Sequence, residues 1–281
     1  MSTASALQDF EPYEDEKDEY YYGYRTIIGY DKDGEESVSY RPLTLDDFLE
    51  PEEGDVYMEG SLHEKDLVGL KSIFRFHLKD RKDITVFSNL KMEWGIGNLE
   101  NPAPDISIVR DVEYPKKPRG TFYVPEEGVR PFFVLEMVSP RYRKPDTVDK
   151  PVIYRKAGVS EYIIADPGLR KNEISYTVKG YRLIGNRYVE ASPDPQGRIY
   201  SQTTDVWIGT NESRDRLVVY DGQTDEPILP DEERAEVAEN RAEQEKIRAE
   251  QEKIRADSEK QRADILAAKL RELGIDPGSL K

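Results

Sequence analysis

The sequence predicts a mixed α/β fold in which helices flank a β-sheet and a long helix follows at the C-terminal end. Three observations support this prediction. Short runs rich in apolar and β-branched residues, separated by turn residues, recur between Ile84 and Tyr220 and are typical of strands. Apolar residues recur at helical spacing between Leu67 and Leu78, and a seven-residue repeat begins at Ala242.

The N-terminal part begins with an acidic segment, residues 1–20, which is poor in aliphatic side chains and is predicted to be a disordered arm. Two strand-like runs, YYYGYRTIIGY and ESVSYRPL, then flank Asp33-Gly34, a pair typical of hairpin turns. Thr44 is placed to cap a short helix that Pro51 ends. We therefore expect a hairpin and a short helix before the main sheet.

The central part of the chain, within a domain predicted to span residues 21–230, alternates between strand-like and helical patterns. A first helix extends to about Leu78 and should pack on one face of the sheet. A second, from about Thr147 to Ala157, ends at Gly158 and separates FFVLEMV from EYIIAD. This order predicts a parallel strand pair joined by a crossover helix, with an antiparallel rim after residue 170. The remaining strand-like runs are ITVFS, KMEWG, PDISIV, EISYTV, YRLIG, RYVEA and RLVVY.

The C-terminal segment, residues 231–281, has a different composition. The sequence AEQEKIR occurs twice in tandem from Ala242, and a degenerate copy starts at Ala256. The absence of glycine and proline between residue 231 and Gly274 predicts one long helix over residues 231–272.

The seven-residue repeat allows two interpretations. With the repeat isoleucines at heptad position d, acids fall at g and arginines at e, an arrangement that suits ion pairs between chains of a coiled coil. The residues at a are mostly polar, so such a homo-oligomer should be weak. The alternative is a solvated charged helix held by pairs four residues apart.

The amino-acid composition limits the kinds of functional site that the chain can form. The chain has no cysteine and two histidines, which excludes disulfides, thiolate metal sites and a cysteine nucleophile, and argues against zinc and a serine-histidine-aspartate triad. No stretch approaches the roughly 20 apolar residues that cross a bilayer, and the first residues form no apolar targeting segment. We expect a cytoplasmic protein that does not contact membranes and that uses carboxylate and lysine chemistry.

The charge distribution bears on possible partners. The net charge is −16, and residues 1–40 contribute half of the excess, with 3 basic and 11 acidic side chains. This balance argues against nonspecific coating of nucleic acid. A local basic run between Arg141 and Lys156, interrupted by Asp146 and Asp149, still allows a phosphate-binding surface.

Three residues have the types and the order that metal-assisted phosphodiester hydrolysis needs. Asp105 follows Pro104 at the start of a strand, and Glu136 lies in an apolar strand where an ionised carboxylate is costly unless a cation or donor meets it. Lys150, on the following helix, can reach the same strand end, orient water and stabilise charge on a phosphate. Because Mg²⁺ prefers oxygen ligands, we predict a Mg²⁺ site at Asp105 and Glu136, with all three residues catalytic.

Four segments of the chain carry a family resemblance: PLTLDDFLEPEEGDVYMEGSLHEKDL, APDISIV, VLEMVSP and DTVDKPVIYRKAGVSEYIIADP. They closely resemble the Uma-type putative restriction endonuclease family, a branch of the PD-(D/E)XK nuclease superfamily. The resemblance spans about Leu43 to Tyr220. It implies a restriction-endonuclease-like mixed sheet flanked by helices and a metal-dependent nuclease that acts on DNA.

Carried over residue by residue, Asp105 matches the aspartate of the superfamily motif and Glu136 matches its glutamate. The motif lysine belongs two residues after the glutamate, where this chain has Val138, and Lys150 fits the replacement from the succeeding helix that is common in the family. Glu64 begins the first long helix, where some relatives place another metal-linked acid. We favour the alternative that Glu64 only complements the helix dipole. Tyr154, one turn after Lys150, is predicted to pack rather than to act.

The leading functional hypothesis is therefore a magnesium-dependent DNA endonuclease. The sequence contains no recognisable DNA-reading module. Two alternatives stay open: a catalytically inactive nuclease-fold scaffold or interaction protein, and a metal-dependent hydrolase of another phosphate ester.

Overall fold

The computed structural model of the chain describes residues 18–30, 32, 34–57, 61–170 and 173–272. They belong to two compact units, one ending at Ile228 and the other beginning at Leu229. The predicted acidic arm lies outside the described residues up to position 17. Among the helices of the described residues, none combines the length and the hydropathy that crossing a membrane requires.

The first unit is built from short strands and four helices within the described residues. The strands, in chain order, are β1 (Gly23–Tyr30), β2 (Glu36–Pro42), β3 (Asp55–Tyr57), β4 (Ile84–Phe87), β5 (Lys91–Glu93), β6 (Ile106–Arg110), β7 (Thr121–Tyr123), β8 (Pro131–Met137), β9 (Glu161–Arg170), β10 (Glu173–Ile184), β11 (Arg187–Glu190), β12 (Ile199–Ser201), β13 (Val206–Thr210) and β14 (Leu217–Asp221). The helices are α1 (Leu45–Leu49), α2 (Ser61–His77), α3 (Val124–Glu127) and α4 (Lys150–Ala157), and α5 (Asp231–Glu272) forms most of the second unit.

The central sheet has six strands in the order β11-β10-β9-β8-β6-β4. The pair β8 and β9 is parallel, and α4 forms the crossover between them, as the sequence predicts. Gly158 caps α4 in the left-handed conformation, with a φ of 80°, which allows the chain to turn directly into β9. The strands after residue 170, β10 and β11, add to the sheet antiparallel, so the predicted rim is confirmed.

Each face of the central sheet has its own apolar core. Residues of β8 alternate between the two faces, because successive side chains of a strand point to opposite sides. Phe133 and Leu135 pack with α2 and with the small sheet β12-β13-β14. Val134 and Val138 pack on the other side with Ile153 of α4 and with β5 and β7. Side chains at positions 134, 136 and 138 therefore face α4, whereas Phe132, near the start of β8, packs against the opposite core.

The N-terminal strands form a separate three-stranded sheet in the order β2-β1-β3. The predicted hairpin is confirmed, with Tyr30 opposite Glu36, while Asp33 lies outside the described residues. The predicted cap at Thr44 is also confirmed: the Thr44 side chain accepts from the backbone of Asp47, whose carboxylate in turn accepts from the Thr44 N–H at 2.8 Å.

The region after residue 170 differs from the prediction in two ways. EISYTV and YRLIG, predicted as separate runs, form the single strand β10. The connecting residue, Gly180, is needed for space, since a Cβ there would lie 2.5 Å from Ile199 of β12 and 3.0 Å from Ile163 of β9. The second difference is that β12, β13 and β14 form their own antiparallel sheet instead of extending the rim.

Candidate active site

Asp105 and Glu136 meet at one end of the central sheet. Asp105 directly precedes β6, and the pairing of Ile106 with Leu135 places Asp105 opposite Glu136 across the β6-β8 ladder. The Asp105 N–H points to Oε2 of Glu136 at 3.4 Å, and the Met137 N–H donates to Oδ2 of Asp105 at 2.7 Å. Both carboxylates are thus held by the backbone of the neighbouring strand. The structure brings together the two acids that the sequence singled out.

Lys150 contacts the same carboxylate pair. Its ammonium lies 3.1 Å from Oε2 of Glu136, and both side chains are almost completely buried. The ring of Phe48, from α1, covers the ammonium at 4.3 Å from the ring centroid. Glu136 lies between Val134 and Val138 on the face that packs against α4, so a lysine on the first turn of α4 reaches it directly. All three residues predicted for the site therefore converge.

The same geometry explains why valine stands two residues after Glu136. Val138 points to the same face as Glu136 and is packed in the apolar core below α4, with 1% of its surface exposed. A lysine at position 138 would have to bury its ammonium in that core, which is costly. Lys150 instead supplies the ammonium from the helix that covers this face.

A third buried acid, Asp146, belongs to the cluster and was not predicted. Its Oδ1 lies 2.8 Å from the Lys150 ammonium, and its Oδ2 accepts from the Ser139 N–H at 3.2 Å. Asp146 lies in a π turn, Pro145–Asp149, which replaces the first turn of the predicted helix. Such turns are frequent at functional sites. The sequence does contain a signal for this contact, because Asp146 and Lys150 are four residues apart. From the sequence alone, Asp146 is interpreted only as an interruption of the basic run.

Tyr154 packs in the core, as predicted, and in addition contacts Glu136. Its hydroxyl donates to Oε1 of Glu136, so the two oxygens of Glu136 have different partners. The ring is fully buried and packs between Trp94 and Tyr162, with centroid distances of 6.0 and 5.0 Å. Tyr162 in turn donates its hydroxyl to the backbone oxygen of Asp146 at 2.9 Å. The two tyrosines thus hold Glu136 and Asp146 in position on the face of the sheet that α4 covers.

Burial and charge shift the pKa values of the cluster strongly. Burial raises the pKa of Glu136 to about 8; Lys150 opposes this shift, while Asp105 and Asp146 add to it. Burial likewise raises the pKa of Asp146 to about 6, again against the effect of Lys150. Burial alone would lower the pKa of Lys150, but the neighbouring carboxylates, with Asp146 first, outweigh it and raise the value. The cluster thus holds three acids around one ammonium, and burial disfavours the ionised forms of Glu136 and Asp146.

The donor set suits a hard divalent cation. Asp105 and Glu136 provide the oxygen ligands that Mg²⁺ prefers, and Mg²⁺ is commonly bound through one or two carboxylates, with water and phosphate oxygens completing its shell. A divalent cation would also offset the excess negative charge of the buried acids. In the part of the chain that the structure describes, no group of three or more His, Cys, Asp or Glu side chains is arranged to hold a metal ion.

Asp105 connects the buried cluster to a cleft with a volume of about 600 Å³. Phe48 also lines the cleft, so it contacts both the open space and the Lys150 ammonium. The charged side chains that line the cleft are acidic, except for Lys91. Lys91 pairs with Glu50 at 2.7 Å. The further lining residues are Pro51, Glu52, Glu53, Asp55, Tyr57, Asn89, Ala103, Gly120 and Thr121.

Two other predicted features lie apart from this arrangement. The basic run does not form one phosphate-binding surface, because Lys150 is buried against acids and Arg143 forms a two-bond ion pair with Asp166, at 2.7 and 2.5 Å. Glu64 is exposed in the first turn of α2, where an acid complements the helix dipole.

The central mixed sheet, the crossover helix and the flanking helices define a restriction-endonuclease-like α/β protein. The family model of Uma2, described as putative restriction endonuclease, matches residues 48–209, which is more than half of the chain. The chain belongs to the Uma2 family. A solved structure of a putative nuclease belonging to DUF820 from Anabaena variabilis ATCC 29413 is similar at 20% identity and a TM-score of 0.41, covering 58% of this chain and 91% of that chain. No curated protein matches.

Proposed function

We propose that the protein is a magnesium-dependent endonuclease that hydrolyses phosphodiester bonds of DNA. The observation that supports this most strongly is the convergence of Asp105, Glu136 and Lys150 at one strand end beside a cleft. Membership of the Uma2 family supports a nuclease and hence a nucleic-acid substrate. That Mg²⁺ is the metal and DNA the nucleic acid is proposed in addition to the family's nuclease class.

Asp105 and Glu136 would hold the metal ion. When bound, a divalent cation stabilises charge on the phosphate and lowers the pKa of a coordinated water. The protein fixes both carboxylates beforehand: the Met137 N–H positions Asp105, and the Tyr154 hydroxyl positions Glu136. Such support matters because a ligand held loosely binds and orients poorly.

Lys150 would stabilise the negative charge that develops on the phosphate and orient the attacking water. Asp146 acts as a positioning residue, since it holds the ammonium beside Glu136. The ammonium is buried and covered by the ring of Phe48. For direct contact with a phosphate, that ring must shift; without a shift, Lys150 acts on the substrate only through its charge.

The substrate would reach the site through the cleft that Asp105 lines. Glu53 on the same wall and the net charge of −16 oppose a polyanion, whereas Glu52 and Asp55 pair with Arg25 at 2.6 and 2.5 Å. We therefore expect weak, metal-assisted and salt-sensitive binding to DNA instead of tight duplex binding.

The test uses the purified full chain with supercoiled plasmid, single-stranded DNA and a small phosphate diester, each with Mg²⁺ or with EDTA. Nicking of DNA only with Mg²⁺ is the expected result. Turnover of the small diester alone would favour a hydrolase of another phosphate ester. Binding of Mg²⁺ without turnover of any substrate would favour the inactive scaffold.

A further inference from the structure

The helix α5 exposes a regular pattern of residues that the proposed nuclease site does not use. None of its described residues is buried: Ile247 is 48% exposed and Ile254 is 63% exposed. Side chains seven residues apart lie on nearly the same side of a helix, so the two isoleucines share one stripe, whose neighbouring d positions hold Asn240 and Gln261. Isoleucine on a fully solvated helix face gains no burial energy, which indicates that something covers the stripe.

The heptad positions follow from placing the two isoleucines at d. Position a then holds Gln244, Gln251, Ser258 and Ile265, position e holds Arg248, Arg255 and Arg262, and position g holds Glu243, Glu250 and Asp257. The stripe is thus flanked by acids along one edge and by arginines along the other. This is the charge arrangement of a self-complementary surface.

Pairs within the helix account for a different set of acids. Arg241, Arg248 and Arg255 each pair with a glutamate four residues later, at 3.3, 3.4 and 3.1 Å. Those glutamates occupy position b, on the solvent side of the stripe. Among the described residues, Glu250 and Asp257 at g form no ion pair of this kind. At g, Glu243 pairs with Lys246 at 3.7 Å, so the g acids that stabilisation of a single helix does not explain are Glu250 and Asp257.

We propose that the stripe binds the same stripe of a second copy of this chain, in a parallel and in-register coiled coil. In that orientation each g acid meets the e arginine of the next heptad in the partner, so that Glu250 faces the partner's Arg255 and Asp257 faces the partner's Arg262. An antiparallel pair would place g beside g and e beside e, which opposes acid to acid and arginine to arginine.

The a positions agree with this orientation. In register, Gln244 and Gln251 each face their own copy, and an amide both donates and accepts, so each pair can satisfy itself. A polar residue at a specifies register at a cost in stability. The assembly is therefore weak and specific. Its parallel direction places the N-terminal ends of the two helices side by side.

The test exploits the absence of cysteine in the chain. Gln251→Cys in the full chain should form a disulfide-linked dimer on mild oxidation, since only the parallel, in-register pairing brings two copies of this position within disulfide range, about 4.4–6.8 Å between Cα atoms. The matched control is Glu252→Cys, one residue away at the outward position b, which should stay uncrosslinked. Equal crosslinking of the two variants would overturn the proposal.

Variants with reversed charges provide a second test of the proposal. Arg248→Glu, Arg255→Glu and Arg262→Glu combined in one chain should abolish self-association measured by light scattering, while circular dichroism reports whether the helix persists. Mixing this chain with one carrying Glu243→Arg, Glu250→Arg and Asp257→Arg should restore a mixed assembly. A wild-type chain that stays monomeric at its highest soluble concentration, or a mixture that does not associate, would overturn the proposal.

Discussion

The ammonium of Lys150 lies 3.1 Å from Oε2 of Glu136, and both groups are removed from water. The contact joins a strand and a helix that are adjacent in the chain but separated by a π turn. It supplies at Glu136 the positive charge that a lysine at position 138 would otherwise provide. The pair is thus both a structural ion pair and the centre of the proposed site, and the two roles can be separated by mutation.

Lys150→Ala should destabilise the protein. The free energy of unfolding should fall by about 3–5 kcal/mol, because Asp146 and Glu136 would lose the cation that compensates their burial. Urea denaturation measures this change. The matched control is Lys156→Ala, an exposed position at the end of the same helix, which should change stability by at most about 0.5 kcal/mol. A similar small effect for both variants would contradict the ion-pair account.

Lys150→Arg separates stability from activity. The guanidinium keeps the charge, so most of the stability should remain. Its planar fork does not reproduce the position of a compact ammonium. If Lys150 stabilises transition-state charge, cleavage should fall by roughly 10² to 10³. Wild-type cleavage rates in this variant would show that Lys150 has only the structural role.

Tyr154→Phe should weaken the site without disturbing the core. The substitution keeps the ring between Trp94 and Tyr162 and removes only the hydroxyl that donates to Glu136. Removing the hydroxyl leaves Oε1 of Glu136 buried without this donor, which costs about 1–3 kcal/mol, so stability should fall by an amount in this range. Calorimetric titration with Mg²⁺ should also show weaker binding, because Glu136 is less firmly oriented. Unchanged magnesium affinity would argue against a positioning role.

The N-terminal sheet should lose stability in acid. The Arg41 guanidinium beside Asp47 holds the pKa of that carboxyl well below its usual range. An acid with a lowered folded pKa stabilises the protein above its unfolded pKa, about 3.9, and loses this contribution as the pH falls through the folded value. The melting temperature should therefore drop below about pH 4 in the wild type. The drop should be shallower in Asp47→Asn, and parallel curves would contradict the assignment.

Self-association through α5 should depend on salt. The pairs that select its orientation lie on the rim of the stripe and are open to solvent, and the screening length falls from about 10 Å at 0.1 M to about 3 Å at 1 M salt. Sedimentation at increasing sodium chloride should show progressive dissociation. Association that strengthens with salt would indicate an apolar interface elsewhere.

Much of the fold could be predicted because its signals are local. The buried run FFVLEMV, the glycine after Ala157 and the run EYIIAD together required a parallel pair, and that pair fixes where Glu136 lies. Asp105 was predictable because the strand after it begins one residue later. The extent of α5 followed from the heptads and the first glycine beyond them.

The rest depends on contacts between segments that are distant or irregular. Asp146 turns inward through a π turn, which no periodicity of the sequence signals. The hydroxyl of Tyr154 can donate to Glu136 only when α4 is packed on the sheet. Gly180 lies between two runs predicted as separate strands, and its close approach to Ile199 arises only in the packed fold.

The central claim is that Asp105 and Glu136 form the site of metal-dependent phosphodiester hydrolysis, and Glu136→Gln tests it most directly. The substitution keeps the shape of the side chain and removes the charge that binds the cation. The matched control is Glu127→Gln, which removes the same charge from an ion pair with Arg119. Plasmid nicking with Mg²⁺ should be abolished in Glu136→Gln, with circular dichroism unchanged, and retained in Glu127→Gln. Nicking by Glu136→Gln at the wild-type rate would contradict the account.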